Sequence, residues 1–475
     1  MTPPIVPNEN PKDWLSNPKN DPLEFLMRVA ASTHVSDEPV LLSHIVAAHS
    51  IGLPEKKQLS IQDVGESGKG KSHSAQTVFD LFPERHALVL NSESEKWLFY
   101  ENKNDPRPMI LFCPEANLDM NDIKRLGMYR NIIDGNGASH KTLERNKQGI
   151  FVPVSLPLPK RCSLWLGNVS LLRDEGGQLP NRLLIVNPDE SREQDDRVHA
   201  HQVETMWNRK SVGNPKLTEY CRAINQMIID EGSCAVLIPF AKWLTYRDKS
   251  NRRDFSKLTS IIWTITRIRC NSRNSLMVFE GDVPVKHLIA EPADVALGVW
   301  LFQQLRPTTK NQVPARALEV LELVPIGEAT AISKSEVSDL LKLSPDYAYR
   351  LLCSLERAGL IEGSTNGRKS VFWRLANSES SRITSEIRIE WEQITSESLI
   401  AAFRDLSVDW NETSEKTFTD YCNAYANMPK SLPSWLEALL LANNSGKISL
   451  KSDSKQNPSL SEDLSKAGGI HMFNL

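Results

Sequence analysis

Cysteines at metal-binding spacing are missing from this 475-residue chain. Its seven cysteines (Cys113, Cys162, Cys221, Cys234, Cys270, Cys353 and Cys422) are scattered, and none forms a C-x-x-C pair. An odd, dispersed set argues against a disulfide framework and against a zinc site. Reduced thiols in a cytoplasmic chain are the expectation. Long apolar runs are missing too. None approaches the roughly 20 residues that span a bilayer, and the opening MTPPIVPNENPKDW lacks the apolar core of a secretory leader. A large excess of one charge is also absent, since the formal net charge is −3. That excludes a chain coated in basic residues and confines any nucleic-acid contact to a channel or a small module. What is present is an apolar content of 40%, enough for a sizeable core. The length suggests about two to four domains.

Against this plain background stands GESGKGKS, residues 65–72. It fits G-x-x-x-x-G-K-[ST] at Gly65, Gly70, Lys71 and Ser72. The whole stretch Gly65, Glu66, Ser67, Gly68, Lys69, Gly70, Lys71, Ser72 and His73 is the candidate nucleotide cradle. Glycines let successive backbone N–H groups turn inward around phosphates. Lys71 reaches the β- and γ-phosphates of ATP in such loops, and the Ser72 hydroxyl ligates Mg²⁺. LSIQDV before it reads as a strand and HSAQTVFDLF after it as a helix, which is the required order. Lys69 is expected to face solvent or a phosphate from outside the cradle.

A P-loop ATPase also needs an acid at the end of a second strand, to hold Mg²⁺ or orient water. PMILFCPEANL supplies a strand over 109–112 and then Glu115, with Pro114 where a first acid would stand. Glu115 reads either as this acid or as a helix-capping carboxylate. RCSLWLGNVSLL ends a third strand at Asn168, a candidate sensor of the γ-phosphate or a turn-forming residue. Arg182 precedes the apolar run 183–186 and reads as an arginine acting on a neighbouring subunit's nucleotide, or as a surface residue.

The order of these segments, with FLMRVAAS and LLSHIVAAHSIG before them and NRLLIVNPDESREQ and NRRDFSKLTSIIWTITRIRCNSR after, resembles the AAA+ ATPases of phage and mobile-element replication proteins. These are of the primase–helicase type and are related to the minichromosome-maintenance helicases. The resemblance covers roughly residues 20–375. It implies a nucleotide-driven ring, typically a hexamer, acting on single-stranded or forked DNA. It assigns phosphate binding to Gly65, Gly70, Lys71 and Ser72, the acidic position to Glu115, the sensor to Asn168 and the trans-acting arginine to Arg182. Arg252 and Arg253 fall in the implied helical lid. The chain departs from the pattern at Pro114, and it has no primase zinc site or catalytic acidic cluster.

Two further stretches are candidates for DNA contact. DGNGASHKTLERNKQGIF carries Lys141, Arg145 and Lys147 and reads as a hairpin gripping phosphates or as a solvated charged loop. Farther on, ARALEVLELV, SKSEVSDLLKLSPDYAYRLLCSLERAGLIEGS and VFWRLA follow the order of a winged helix. Ser333 and Glu336 form a capping-box signature. Pro345 opens a third helix that would present Tyr347, Tyr349 and Arg350 to a groove, with Arg368 and Lys369 on the wing. A protein-contact module has the same pattern.

The expected fold is α/β: an N-terminal helical segment (1–50) on a parallel-sheet AAA+ P-loop domain with a helical lid (51–305), a winged-helix domain (312–376), then a linker, helices and a partly disordered tail (377–475). IRIEWEQITSESLIAAFRDL in that tail reads as helical and could pack on the body or a protein partner. The expected activity is ATP-driven DNA translocation by a replicative helicase or initiator of a mobile element. The alternative is an ATP-dependent oligomerising switch in regulation or defence.

Overall fold

The structure, a computed structural model, describes residues 4–90, 97–116, 123–136, 139–146, 148–169, 172, 179–208, 214–232, 234–246, 252–280, 283–311, 313–327, 330–358, 360–366, 369–374, 387–404 and 412–441. The chain divides into residues 1–433 and 434–475, and the second unit is described as a helix over 434–441.

The N-terminal segment forms α1 (Pro11–Ser16), α2 (Pro22–Thr33) and α3 (Glu38–His49). Each has proline in its first turn, where the missing N–H leaves no bond unmade. Asp21 caps α2 by accepting from the N–H groups of Leu23 and Glu24. α3 is apolar almost all round and buried along almost its whole length, as that pattern requires.

The nucleotide loop lies between β1 (Ile61–Val64) and α4 (Lys71–Phe79). Then come β2 (Ala87–Val89), α5 (Trp97–Asn104), β3 (Met109–Cys113), α6 (Ile123–Ile133), the hairpin strands β4 (Ser139–Arg145) and β5 (Phe151–Pro157), β6 (Cys162–Asn168) and β7 (Leu184–Val186). One sheet takes the order β2-β3-β6-β1-β7 and is parallel throughout. Two of its inner strands, β3 and β6, are near-continuous apolar runs, as expected of strands buried on both faces, while the third, β1, buries Gln62 and Asp63. Parallel strands deliver their carboxyl ends to one edge, the place where ligands bind in such sheets. The phosphate loop, Glu115, Asn168 and the 187–190 segment all leave the sheet there. His44 of α3 docks the N-terminal helices on this sheet: its Nε2 lies 3.1 Å from Asp63 of β1, and its ring meets Trp165 of β6 edge-on.

The chain continues through α7 (Arg192–Asn208), α8 (Pro215–Asp230), β8 (Ala235–Leu237), β9 (Leu244–Tyr246), α9 (Arg252–Ile268), β10 (Ser275–Glu280), β11 (Val283–Ile289) and α10 (Pro292–Asn311). β10 and β11 are antiparallel, and β8 adds to β11 in parallel. A buried ionic cluster ties α9 and α10 to the start of α2. Arg269 reaches Asp21 at 2.7 Å and Asp294 at 2.9 Å, and Arg273 reaches Asp294 at 2.6 Å. Burial pushes the Asp294 carboxyl up, but Arg273 and Arg269 outweigh it and hold it down at about 2.

Residues 315–373 contain α11 (Ala315–Leu323), β12 (Ile332–Ser333), α12 (Lys334–Leu341), α13 (Pro345–Arg357), β13 (Glu362–Asn366) and β14 (Lys369–Trp373), with strand order β12-β14-β13. They have a core of their own around Val320, Val337, Leu351, Leu352 and Phe372. The Ser333–Glu336 capping box is formed.

One expectation fails. IRIEWEQITSESLIAAFRDL is not helical from its first residue. Ile387–Ile389 is a strand, β15, paired antiparallel with β9, and the helix α14 (Ser396–Arg404) starts later, followed by α15 (Glu412–Ala424). The alternation of Ile387, Arg388 and Ile389 is a period of two, and the open edge of β9 decides the outcome. The expected tail over 451–466 and the linker over 377–386 lie outside the described residues.

Candidate functional site

Lys71 opens α4 and turns back on the loop. Its Nζ donates to the carbonyl oxygens of Gly65 and Glu66, each at 2.7 Å. Gly68 and Gly70 hold φ of +85° and +87°, a region that glycine enters without a Cβ clash. Burial pushes the Lys71 ammonium below its usual value, against the pull of Glu190, Asp63 and Glu66. Ser72 is exposed in the first turn of α4. Amides of a glycine turn, an ammonium and a hydroxyl at a helix start are the donor set that a magnesium triphosphate needs. Magnesium in such sites draws its ligands largely from phosphate and water. It therefore does not need a cluster of three His, Cys, Asp or Glu, and the described residues contain none.

The flanks of the loop are tied down. Lys69 pairs with Asp195 of α7 at 2.6 Å, instead of facing solvent alone. The Nδ1 atoms of His73 and His34 lie 2.8 Å apart, and Asp37 accepts at 3.2 Å on the other side of His34. Burial, then His34 and His201, lower the His73 pKa, which favours a neutral ring in this stack.

Glu115 and Asn168 are brought together by a close approach of two strand ends. Val64, the last residue of β1, is in register with Asn168. The Ala116 N–H donates to the Gly167 carbonyl at 2.8 Å, and the Asn168 amide donates to the Ala116 carbonyl at 3.0 Å. Any Cβ at position 167 would lie 2.3 Å from the Pro114 carbonyl oxygen. Gly167 thus sets the spacing between the Pro114–Glu115 turn and the Asn168 tip. Glu115 itself is exposed. Arg182 sits in a 3₁₀ turn before β7, and its Nε grips both Asp134 oxygens, at 2.7 and 2.9 Å, within the same chain.

Glu190, not among the sequence candidates, is part of this edge. One carboxylate oxygen accepts from the Glu66 N–H at 2.6 Å, and the other accepts from the Tyr347 hydroxyl at 2.5 Å. Its position was readable in principle, since an acid just past the strand beside β1 must emerge next to the loop.

The candidates for DNA contact are spread out. Lys141 and Arg145 are exposed on the β4–β5 hairpin, where Arg145 lies 4.9 Å from the Phe151 ring centroid. Leu143, Ile150 and Phe151 are exposed beside them. Lys147 and Arg368 lie outside the described residues, as does the side chain of Lys369. Arg253 is exposed near the start of α9, and the side chain of Arg252 is outside the described set. On α13, Tyr349 and Arg350 are exposed, with Lys334 5.5 Å from the Tyr349 ring centroid. Tyr347 is not presented to a groove. Its exposure is 3%, because its hydroxyl is turned onto Glu190 and Arg350 lies over its ring.

Comparison with known proteins agrees on the loop-bearing part. Residues 8–231 match the family model of the MTBMA_p00010 P-loop domain. The protein named Uncharacterized protein MTBMA_p00010, from Methanothermobacter marburgensis, is 23% identical over 267 residues, which is 53% of this chain and 31% of that protein. The chain thus spans about a third of that relative's length. A full-length MCM homolog from Methanopyrus kandleri is similar at 13% identity and a TM-score of 0.39, over 64% of this chain and 62% of that one. Among the described residues no helix is long and apolar enough to cross a membrane. The chain carries a P-loop domain in an α/β fold with a parallel sheet.

Proposed function

We propose that the chain is an ATPase of the AAA+ type that assembles as a ring and moves along DNA, as a replicative helicase or initiator of a mobile element. The observation that carries the nucleotide part is Lys71 anchored on two loop carbonyls at the carboxyl edge of a parallel sheet. ATP supplies the phosphoryl group to be transferred and Mg²⁺ the charge that offsets it. Lys71 and the loop amides bind the β- and γ-phosphates, and the Ser72 hydroxyl holds the metal. Glu115 takes the position that orients water, with the Asn168 amide beside it. Arg182 would serve a neighbouring protomer's site once released from Asp134. The β4–β5 hairpin, with Lys141, Arg145 and Phe151, offers cations and a ring face to a single strand. The helices and strands of 315–373 support a winged-helix reading of that module.

A second reading has its own support. A switch that binds ATP, oligomerises and hydrolyses slowly suits Pro114 in place of an acid and Arg182 engaged within its own chain. Solution mass and ATP turnover, measured with and without ATP and forked DNA, separate the two. The motor gives DNA-stimulated turnover and unwinding; the switch gives assembly without unwinding. If Lys71→Ala leaves turnover untouched, the site is wrongly assigned and both readings fall.

A further inference from the structure

The Gly65–Glu66 peptide unit is held from both ends. Its carbonyl, on Gly65, accepts from Lys71 Nζ, and its N–H, on Glu66, donates to Glu190. Glu190 in turn accepts from Tyr347. Three hydrogen bonds and one rigid amide plane therefore join α13 to the phosphate-binding lysine. The contact is close: a Cβ on Gly65 would lie 2.7 Å from the Glu190 carboxylate. Lys71 feels Glu190 before any other charge. Burial and the adjacent carboxylate push the Tyr347 phenol well above its ordinary value, so it stays a donor.

We propose that Tyr347 is a positioning residue that holds the Glu190 carboxylate against the phosphate loop, so that the 315–373 module restrains the binding of a nucleoside triphosphate. The inference rests on the ATPase reading above. A triphosphate brings its negative charge beside Lys71, where Glu190 already acts on the same ammonium and repels the newcomer. The repulsion is strongest while the phenol pins the carboxylate in place. Binding must loosen the pin, and by reciprocity a firmly docked module weakens binding. An ordinary packing role predicts the opposite sign, because disturbing a packed loop impairs its ligand.

The test is the Kd of ATPγS by titration calorimetry for wild type, Lys71→Ala, Tyr347→Phe, Glu190→Gln and the Tyr347→Phe/Glu190→Gln double variant. Tyr347→Phe removes one oxygen and should tighten binding roughly five-fold. Glu190→Gln should tighten it at least as much, and the double variant should match Glu190→Gln alone, because both changes act on one carboxylate. Unchanged or weaker binding by Tyr347→Phe, or additive effects in the double variant, overturns the inference while leaving the nucleotide site intact. Wild-type protein that binds no ATPγS, or binds it equally well after Lys71→Ala, overturns the ATPase reading and the inference with it.

Discussion

The phosphate-loop edge and the α9–α10 anchorage are each organised around a carboxylate, but they use it differently. Asp294 is fully buried between two arginines, so its charge is cancelled where it stands. Glu190 receives its hydrogen bonds from an amide and a phenol, both neutral, and among the described residues no arginine is bonded to it as two are to Asp294. The first arrangement makes a fixed joint: separating it would expose uncompensated charge in a dry interior. The second makes a joint that answers to other charges arriving nearby. On the proposed reading, stability and ligand response thus fall to different carboxylates of the same α/β body.

The largest expected effect falls on the fixed joint. Asp294→Ala strands two buried guanidinium groups and should cost about 3–5 kcal/mol of stability in urea unfolding. If nucleotide affinity falls while stability holds, the division between the two regions is wrong. Lys71→Ala probes the other side. It should cut ATP turnover about a hundredfold or more and leave the melting temperature within a few degrees. Gly167→Ala sits between these. It forces the Pro114 turn away from Asn168 and should lower turnover at saturating ATP about tenfold, with little change in ATPγS affinity.

Acid sharpens the contrast. His49 is fully buried, and burial first, then Arg267, press its pKa down to about 3 from the ordinary 6.5. The unfolded chain therefore takes up a proton below pH 6.5 that the folded chain refuses. Stability should fall by up to about 1.4 kcal/mol per pH unit between 6.5 and about 3. His49→Leu should flatten that slope. Asp294 works in a lower window: its contribution is complete above the ordinary carboxyl value of 3.8 and is lost as pH falls toward about 2. The smallest effect belongs to Arg182. Its pair with Asp134 is partly exposed, so Arg182→Ala should change stability by no more than about 1 kcal/mol. A larger loss of turnover that appears only at assembling protein concentrations would mark a role at a neighbour's site.

The loop was legible because its chemistry is local. GESGKGKS fixes backbone turns, an ammonium and a hydroxyl within eight residues, and a strand and helix flank it. The parallel sheet was equally open to reading, since MILFC and CSLWLG are apolar without alternation. Glu190 was not picked out, because its partners come from residues 66 and 347, and no local pattern records that meeting. Tyr347 was assigned to an outward face for the same reason: helical spacing gives the face but not what covers it. Gly167 has no local signature either, because the Pro114 carbonyl that meets it comes from the end of another strand. In the 387–389 segment the three-residue alternation was shorter than the helical pattern that follows, and its partner strand lies far upstream at 244–246.

That last pairing has a practical consequence. A protein shortened after residue 376, to isolate the loop-bearing body, would leave β9 with a bare row of amides and carbonyls. Such an edge recruits strands from other molecules. Clumping of the trimmed protein would then report the missing strand and the apolar surface uncovered under Trp391, Tyr421 and Tyr425 rather than any natural tendency to assemble, and assembly should be judged only on chains that keep residues 387–427.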